Sequence, residues 1–285
     1  MELDGRVAVV TGGTRGVGAG IARAFLRAGA RVVVCARRPP EVPLDGAEFV
    51  PVDLREAEGV AGFLDDVAAR YGRLDTLVNN AGGTPHRLLA DGAVARHARV
   101  VELNLVTPLT ASLAAYDHLR AAGGSIVMIG SVSGGRPSPG SAAYGAAKAG
   151  LESLARSMAV EWAPEVRVNT LVLGMVRTEL SGLHYGDEEG IAAAGRTVPL
   201  GRLAEPSDVG DAAVFLASAR AAYISGASLL VHGGGERPAF LDAATVNRET
   251  ADKQAGDRQA GDRQAGDMET GDMETSITGT VDKET

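Results

Sequence analysis

Short β-branched and apolar runs alternate with longer stretches of helical period over the first 244 residues. Runs at residues 6–10, 31–36, 49–52, 74–79, 125–130, 166–173 and 228–232 predict seven strands, most of them too continuously apolar to leave one face in water. Between the first two, Val17, Ile21, Phe25 and Ala28 recur at helical spacing and make one stripe that can pack on a sheet. Residues 142–159 read as a second long helix. Strand, helix and strand in that order form a βαβ unit. Its repetition predicts an α/β fold, a doubly wound parallel sheet with helices on both faces. Right-handed crossovers then bring the C-terminal ends of the strands to one edge, where sheets of this kind bind ligands.

The pattern stops near residue 245. A pentapeptide, Gln254-Ala255-Gly256-Asp257-Arg258, repeats from Gln259 and again from Gln264, then degenerates into Gly-Asp-Met-Glu-Thr. Five residues are too few for a stacking structural repeat, and so few large apolar side chains cannot offset the entropy of ordering. The expectation is one domain over residues 1–244 and a disordered tail over 245–285. The tail carries 5 Lys/Arg against 10 Asp/Glu, so most of the net charge of −8 belongs to it and the remainder is close to neutral. That charge gives no footprint for nucleic acid, and no apolar run is long enough to cross a membrane. The single cysteine, Cys35, excludes an intrachain disulfide, and the N-terminus lacks a basic segment followed by an apolar one; the chain reads as cytoplasmic. A small-molecule partner is expected.

The segment Thr11-Gly12-Gly13-Thr14-Arg15-Gly16-Val17-Gly18 follows the first strand and runs into the first helix. Glycines in that place allow a tight turn and let backbone N–H groups and the positive helix end approach a pyrophosphate. The first glycine gap is wider than in the G-x-G-x-x-G form. Further on come Asn79-Asn80-Ala81-Gly82, then Asn104, then Ser131 thirteen residues before Tyr144, and Lys148 four after it. In this set and order the chain resembles the short-chain dehydrogenase/reductase family over roughly residues 3–241. Residues 167–178 and 201–234 also look like family segments. The resemblance implies a single Rossmann-like domain, a nicotinamide cofactor and the interconversion of a ketone and a secondary alcohol.

Tyr144 and Lys148 share one face of their helix, and a nearby ammonium favours the phenolate of a tyrosine whose ordinary pKa is about 10. The resemblance makes Asn104, Ser131, Tyr144 and Lys148 the catalytic set. Tyr144 gives or takes the hydroxyl proton, and Lys148 lowers the Tyr144 pKa and bonds the nicotinamide ribose. Asn104 marks a kinked helix with a bound water. Ser131 either polarises the substrate carbonyl or bonds its own backbone as a turn serine. Thr11, Gly12, Arg15, Gly16, Val17, Gly18, Arg37, Asp53, Asn80, Ala81, Gly82, Val176 and Thr178 join Tyr144 and Lys148 as cofactor contacts. Asp53 is either an acceptor for an adenine amino group or a helix cap. Val176 and Thr178 match the segment that holds the carboxamide, where Leu173-Gly174 replaces the family's usual Pro-Gly, and His232 stands as a structural residue where many relatives have aspartate. Cys35-Ala36-Arg37-Arg38 lacks an acid at the end of the second strand, and Arg37 and Arg15 suit a 2′-phosphate, so NADP(H) is favoured over NAD(H). Substrate contacts are expected from His86 and Arg87 and from the insertion at 179–199 with His184 and Tyr185. The family implies a homodimer or homotetramer. The competing reading is an inactive NAD(P)-binding sensor or scaffold.

Overall fold

In the computed structural model, which describes residues 1–236 and 238–244, each apolar run becomes one strand: β1 (Val7–Thr11), β2 (Arg31–Ala36), β3 (Ala47–Pro51), β4 (Thr76–Asn79), β5 (Ser125–Ser131), β6 (Arg167–Leu173) and β7 (Ser228–Val231). Their ends differ from the expected runs by no more than two residues. The order across the sheet is β3-β2-β1-β4-β5-β6-β7, and every neighbouring pair is parallel. The crossovers carry α1 (Gly16–Arg27), α2 (Ala57–Tyr71), α3 (Val94–Val101), α4 (Thr107–Ala122), α5 (Ala142–Glu161), α6 (Gly182–Tyr185), α7 (Glu188–Arg196) and α8 (Pro206–Ala217). The protein is therefore a Rossmann-like, doubly wound α/β domain. The insertion at 179–199 is occupied by α6 and α7.

Alternation along the strands separates two cores. Val7, Val9, Val33 and Cys35 face one side, where Val60, Phe63 and Leu64 of α2, Ala115 and Leu119 of α4 and Leu151 of α5 cover them. Ala8, Val10, Val32 and Val34 face the other, under Ile21 and Phe25 of α1 and Val209 and Ala213 of α8. Each fully buried Val, Leu, Ile or Phe among them contributes about 1.5–3 kcal/mol through removal from water. On the second side, α1 and α8 approach so closely that a Cβ on Gly20 would lie 2.6 Å from the Pro206 carbonyl oxygen, and one on Gly210 2.6 Å from Ala24 Cβ. The two edge strands depart from the expected burial, each having a neighbour on one side only: β3 is half-buried, and Leu229 and Leu230 of β7 are 37% and 57% exposed.

At the N-terminal edge of the sheet, the buried Asp75 accepts hydrogen bonds from Val7 N at 2.9 Å, Arg6 Nη1 at 2.6 Å, and Arg73 Nε and Nη2 at 2.8 and 2.6 Å. These contacts hold the entry to β4 against β1. From β1 the chain winds outward to β2 and β3, and from β4 it winds the other way, so the direction reverses between β1 and β4. The crevice above that reversal, at the C-terminal ends of the strands, is where an open α/β sheet can take a ligand.

The chain divides into two units, Met1–Gly235 and Glu236–Thr285. In the second, Ala239–Ala243 forms one short helix, and the tail expected at 245–285 lies outside the described residues. Among the described residues no helix is long and apolar enough to cross a membrane.

Candidate active site

The glycine turn sits above the β1–β4 reversal and is knitted to the end of β4. Thr11 Oγ1 accepts from Asn80 N and Ala81 N, both at 3.0 Å, and donates to Val78 O at 3.2 Å. Asn80 Nδ2 donates to Thr11 O at 2.9 Å and Gly12 O at 3.1 Å. The side chains of Thr11 and Asn80 are thus spent on the shape of the turn. Gly16 has φ +52, a conformation that disfavours any side chain, and a Cβ on Gly18 would collide with the Gly12 carbonyl oxygen and lie 2.5 Å from Asn80 Nδ2. The turn therefore keeps backbone, not side chain, facing the start of α1, which is the cradle a pyrophosphate requires. Thr178 Cγ2 lies 3.3 Å from where a Gly16 Cβ would be, so the segment after β6 closes over the same turn. Val176 is fixed there by a bridge to Ala204, and His232 packs against Gly174, whose Cβ would be 2.8 Å from His232 Cβ.

Arg15, in the turn, and Arg37, just after β2, are exposed. Asp53 is neither free nor the cap of α2, a position held by Glu56. Its carboxylate is gripped by Arg55, through Nε at 2.9 Å, a second contact from Nη2, and the backbone N at 3.2 Å. Those bonds, with a smaller contribution from Arg37, hold the Asp53 carboxyl down at about 2. Arg55 is a residue that spacing did not reveal, and it adds a third arginine to this rim.

Helices α3 and α4 are joined by a π-helical turn, Glu102–Val106, and Asn104 lies within it, fully buried. Asn104 Oδ1 accepts from Gly83 N, and Nδ2 donates to Gly83 O and Val100 O, all at 2.9 Å. A turn of this kind lets one carbonyl leave the helical ladder. Gly82 is pressed against the same group: a Cβ there would lie 2.5 Å from Asn104 Oδ1 and 3.5 Å from Lys148 Nζ. Lys148, 3% exposed, donates to Ile129 O at 2.7 Å, and its Nζ lies 5.5 Å from the centre of the Tyr144 ring. Ser131, at the end of β5, accepts from Ser133 N at 3.2 Å and stands close enough to the Tyr144 hydroxyl to favour its phenolate, so it serves the turn and the tyrosine together.

The electrostatics differ from the expectation in one respect. Burial raises the Tyr144 hydroxyl above its ordinary pKa, and the hydrogen bond from Ser131 offsets this only in part. The Lys148 ammonium lies over the Tyr144 ring and is bonded to the Ile129 carbonyl. Burial instead lowers Lys148 itself to about 8. The fold nevertheless unites Gly82, Asn104, Ser131, Tyr144 and Lys148 at the C-terminal ends of β4 and β5, beside the glycine turn.

Residues 12–236 match the family described as enoyl-(acyl carrier protein) reductase. The chain is 39% identical over 243 residues to the L-fucose dehydrogenase of Oryctolagus cuniculus, covering 81% of this chain and 85% of that one. It is also 39% identical over 240 residues to the cis-4-hydroxycyclohexanecarboxylate dehydrogenase of Sinomonas cyclohexanicum, covering 80% and 96%. Among solved structures, the ligand-free aldohexose dehydrogenase of Thermoplasma acidophilum superposes with a TM-score of 0.78 at 28% identity, over 81% of this chain and 94% of that one.

Proposed function

The chain belongs to the short-chain dehydrogenase/reductase family and is an NAD(P)-dependent oxidoreductase of alcohols and ketones; from that premise we propose that Tyr144 is its general acid and base. The observation that carries this is the burial of the Lys148 ammonium over the Tyr144 ring, 5.5 Å from its centre, with the Ser131 hydroxyl close enough to favour the phenolate. Two of the relatives are named as dehydrogenases of small hydroxylated molecules, L-fucose and cis-4-hydroxycyclohexanecarboxylate. A small alcohol/ketone pair is the substrate class proposed here.

The nicotinamide cofactor, when bound, supplies or accepts the hydride. The chain's own residues do the rest. The turn from Gly12 to Gly18 and the N-terminus of α1 would hold the pyrophosphate, and Val176 and Thr178 the nicotinamide end. Arg15 and Arg37 would take a 2′-phosphate, which favours NADP(H), while Asp53 acts through Arg55 and not as a free acceptor. The Ser131 hydroxyl steadies the substrate oxygen, and Tyr144 delivers its proton to that oxygen as the carbonyl is reduced. A Tyr144 pKa above the ordinary value keeps this proton in place at neutral pH, which suits reduction. Oxidation requires the phenolate and is favoured by higher pH. Asn104 fixes the Gly82–Gly83 backbone next to Lys148, and Lys148 holds the tyrosine ring in place.

A homodimer or homotetramer is proposed as the assembly, because the exposed Leu229 and Leu230 of β7 and the exposed Val106 and Leu113 near and on α4 form apolar surface that a second copy would cover. The deciding experiment is Tyr144→Phe. Turnover is expected to fall by about 10²- to 10⁴-fold, the range for losing a positioned proton donor. Titration of the same variant should still show binding of both reduced cofactors, NADPH more tightly than NADH. Undiminished turnover would refute the role of Tyr144, and tighter NADH binding would refute the phosphate site.

A further inference from the structure

Two strand ends leave the C-terminal edge of the sheet side by side. Ala36 of β2 pairs with Pro51 of β3, and Val52 N donates to Ala36 O at 3.0 Å. Arg37 therefore stands one residue past β2, and Asp53 two residues past the neighbouring β3. The end of the second strand is where a dinucleotide fold of this kind tells a ribose hydroxyl from a 2′-phosphate. An acid there accepts from the hydroxyl, and an arginine takes the phosphate. This edge holds both signs of charge. Arg37 is exposed and forms no ion pair among the described residues. An aspartate is ionised at neutral pH whether or not it is paired. Left bare, the Asp53 carboxylate would attract the Arg37 guanidinium and repel a phosphate brought to it.

Arg55 keeps the carboxylate from being bare. Its Nε donates to Asp53 Oδ1 at 2.9 Å, its Nη2 to Oδ2, and its backbone N to Oδ1 at 3.2 Å. Two parallel bonds from one guanidinium are the arrangement in which even an exposed ion pair holds its geometry. Glu56 and Glu102 act on Arg55 less than Asp53 does. We propose that Arg55 is a cofactor-specificity residue acting through Asp53: by pairing with that acid it leaves the charge of Arg37 available to a 2′-phosphate. Arg55 is then a positioning residue and not itself a phosphate ligand. With Asp53 present and no arginine at position 55, the edge would set an acid against Arg37 and lose its power to choose. The inference rests on Arg37 being the phosphate contact.

The test measures binding, not turnover. The full chain is titrated calorimetrically with adenosine 2′,5′-bisphosphate and with adenosine 5′-phosphate, which differ only in the 2′-phosphate. Low ionic strength keeps exposed charges least screened. The wild type is expected to prefer the bisphosphate. Arg55→Gln should cut that preference about tenfold by uncovering the Asp53 charge. Asp53→Asn should keep or raise it, and the double variant Asp53→Asn with Arg55→Gln should return close to the wild-type ratio. If Arg55→Gln does not fold, Asp53→Asn carries the test. A preference unchanged in Arg55→Gln, lowered in Asp53→Asn, or still low in the double variant would overturn the proposal; the last result would put Arg55 on the phosphate itself. Arg37→Gln separates the inference from the reading beneath it. Loss of preference there with none in Arg55→Gln keeps the phosphate site and ends the role of Arg55, whereas a wild type that does not distinguish the two probes ends both.

Discussion

Lys148 is the most expensive side chain in the site to bury, and its cost can be measured through pH. Its pKa falls from 10.5 to about 8 because the folded protein withdraws the ammonium from water. At 1.36 kcal/mol per tenfold change in proton affinity, keeping that lysine charged in the fold costs about 3 kcal/mol at neutral pH. The simplest comparison, Lys148→Met at pH 7, does not isolate this cost. The substitution relieves burial of charge but removes a charged donor from Ile129 O, a bond worth about 1.5–3 kcal/mol, and the two nearly cancel.

The pH dependence does not cancel. A cation whose folded pKa is depressed is neutral in the folded chain and still protonated in the unfolded chain throughout the window from about 8 to 10.5. The unfolded state therefore binds more protons there, and stability rises with pH. Between pH 7 and 10 the wild-type protein should gain roughly 2 to 3 kcal/mol relative to Lys148→Met. Tyr144, raised in the fold, pulls the other way, but only as the unfolded tyrosine begins to titrate near pH 10, and this is common to both proteins. Urea unfolding followed by circular dichroism at pH 7, 8, 9 and 10, at one protein concentration, supplies the curves. If wild type and variant stay parallel across that range, Lys148 is not titrating near 8 and the account of its burial fails.

Gly82→Ala should damage activity more than folding. Its Cβ would collide with Asn104 Oδ1 beside Lys148, so kcat should drop about 100-fold through misplacement of Asn104 and the backbone it holds, while unfolding free energy falls by only about 1–3 kcal/mol. An unchanged kcat would show that Gly82 does not position them. Asp75→Asn should destabilise by about 3 kcal/mol at pH 7, since it leaves Arg6 and Arg73 facing a neutral group beside the sheet. The Asp75 carboxyl lies below its ordinary pKa in the fold, chiefly because Arg73 and Arg6 outweigh the effect of its burial. Its contribution is therefore present above about pH 4, the unfolded value, and lost as pH falls through the folded one. Acid unfolding curves of the two proteins should converge at low pH; a gap that persists there would contradict the ion-pair account.

Most of the fold was legible because its parallel strands are buried on both faces and so announce themselves as apolar runs. The exceptions, β3 and β7, read like the others but lie at the edges, and sheet position is not encoded in a single strand's composition. The glycines of the turn were legible for a similar reason: Gly16 and Gly18 occupy places where only hydrogen fits, and a sequence can meet that need in one way. What escaped was whatever depends on segments distant in sequence coming together. Arg55 is the local exception: two residues from Asp53, it reads as a solvated charge, and only the bend after β3 turns it onto that carboxylate. Arg87 stands as a separate surface candidate in the sequence, and only the loop after β4 folding back on Gly140, where Arg87 N donates to Gly140 O at 2.7 Å, joins it to the segment before Tyr144.

Tyr144 and Lys148 show the same limit inside a single helix. Spacing of four places both on one face, and from that alone the ammonium should stabilise the phenolate. How deep that face is buried, and which acceptor the lysine finds, is decided by β5, nineteen residues back, through the carbonyl of Ile129. Once Lys148 is tied there, its ammonium lies over the ring, and desolvation is the leading influence on both pKa values. The pair is then set for proton donation at neutral pH, with the lysine losing its charge near pH 8, well before the tyrosine ionises. Carbonyl reduction that declines above about pH 8 is the consequence, and the ammonium that holds the ring, not the acid that gives the proton, would set that limit.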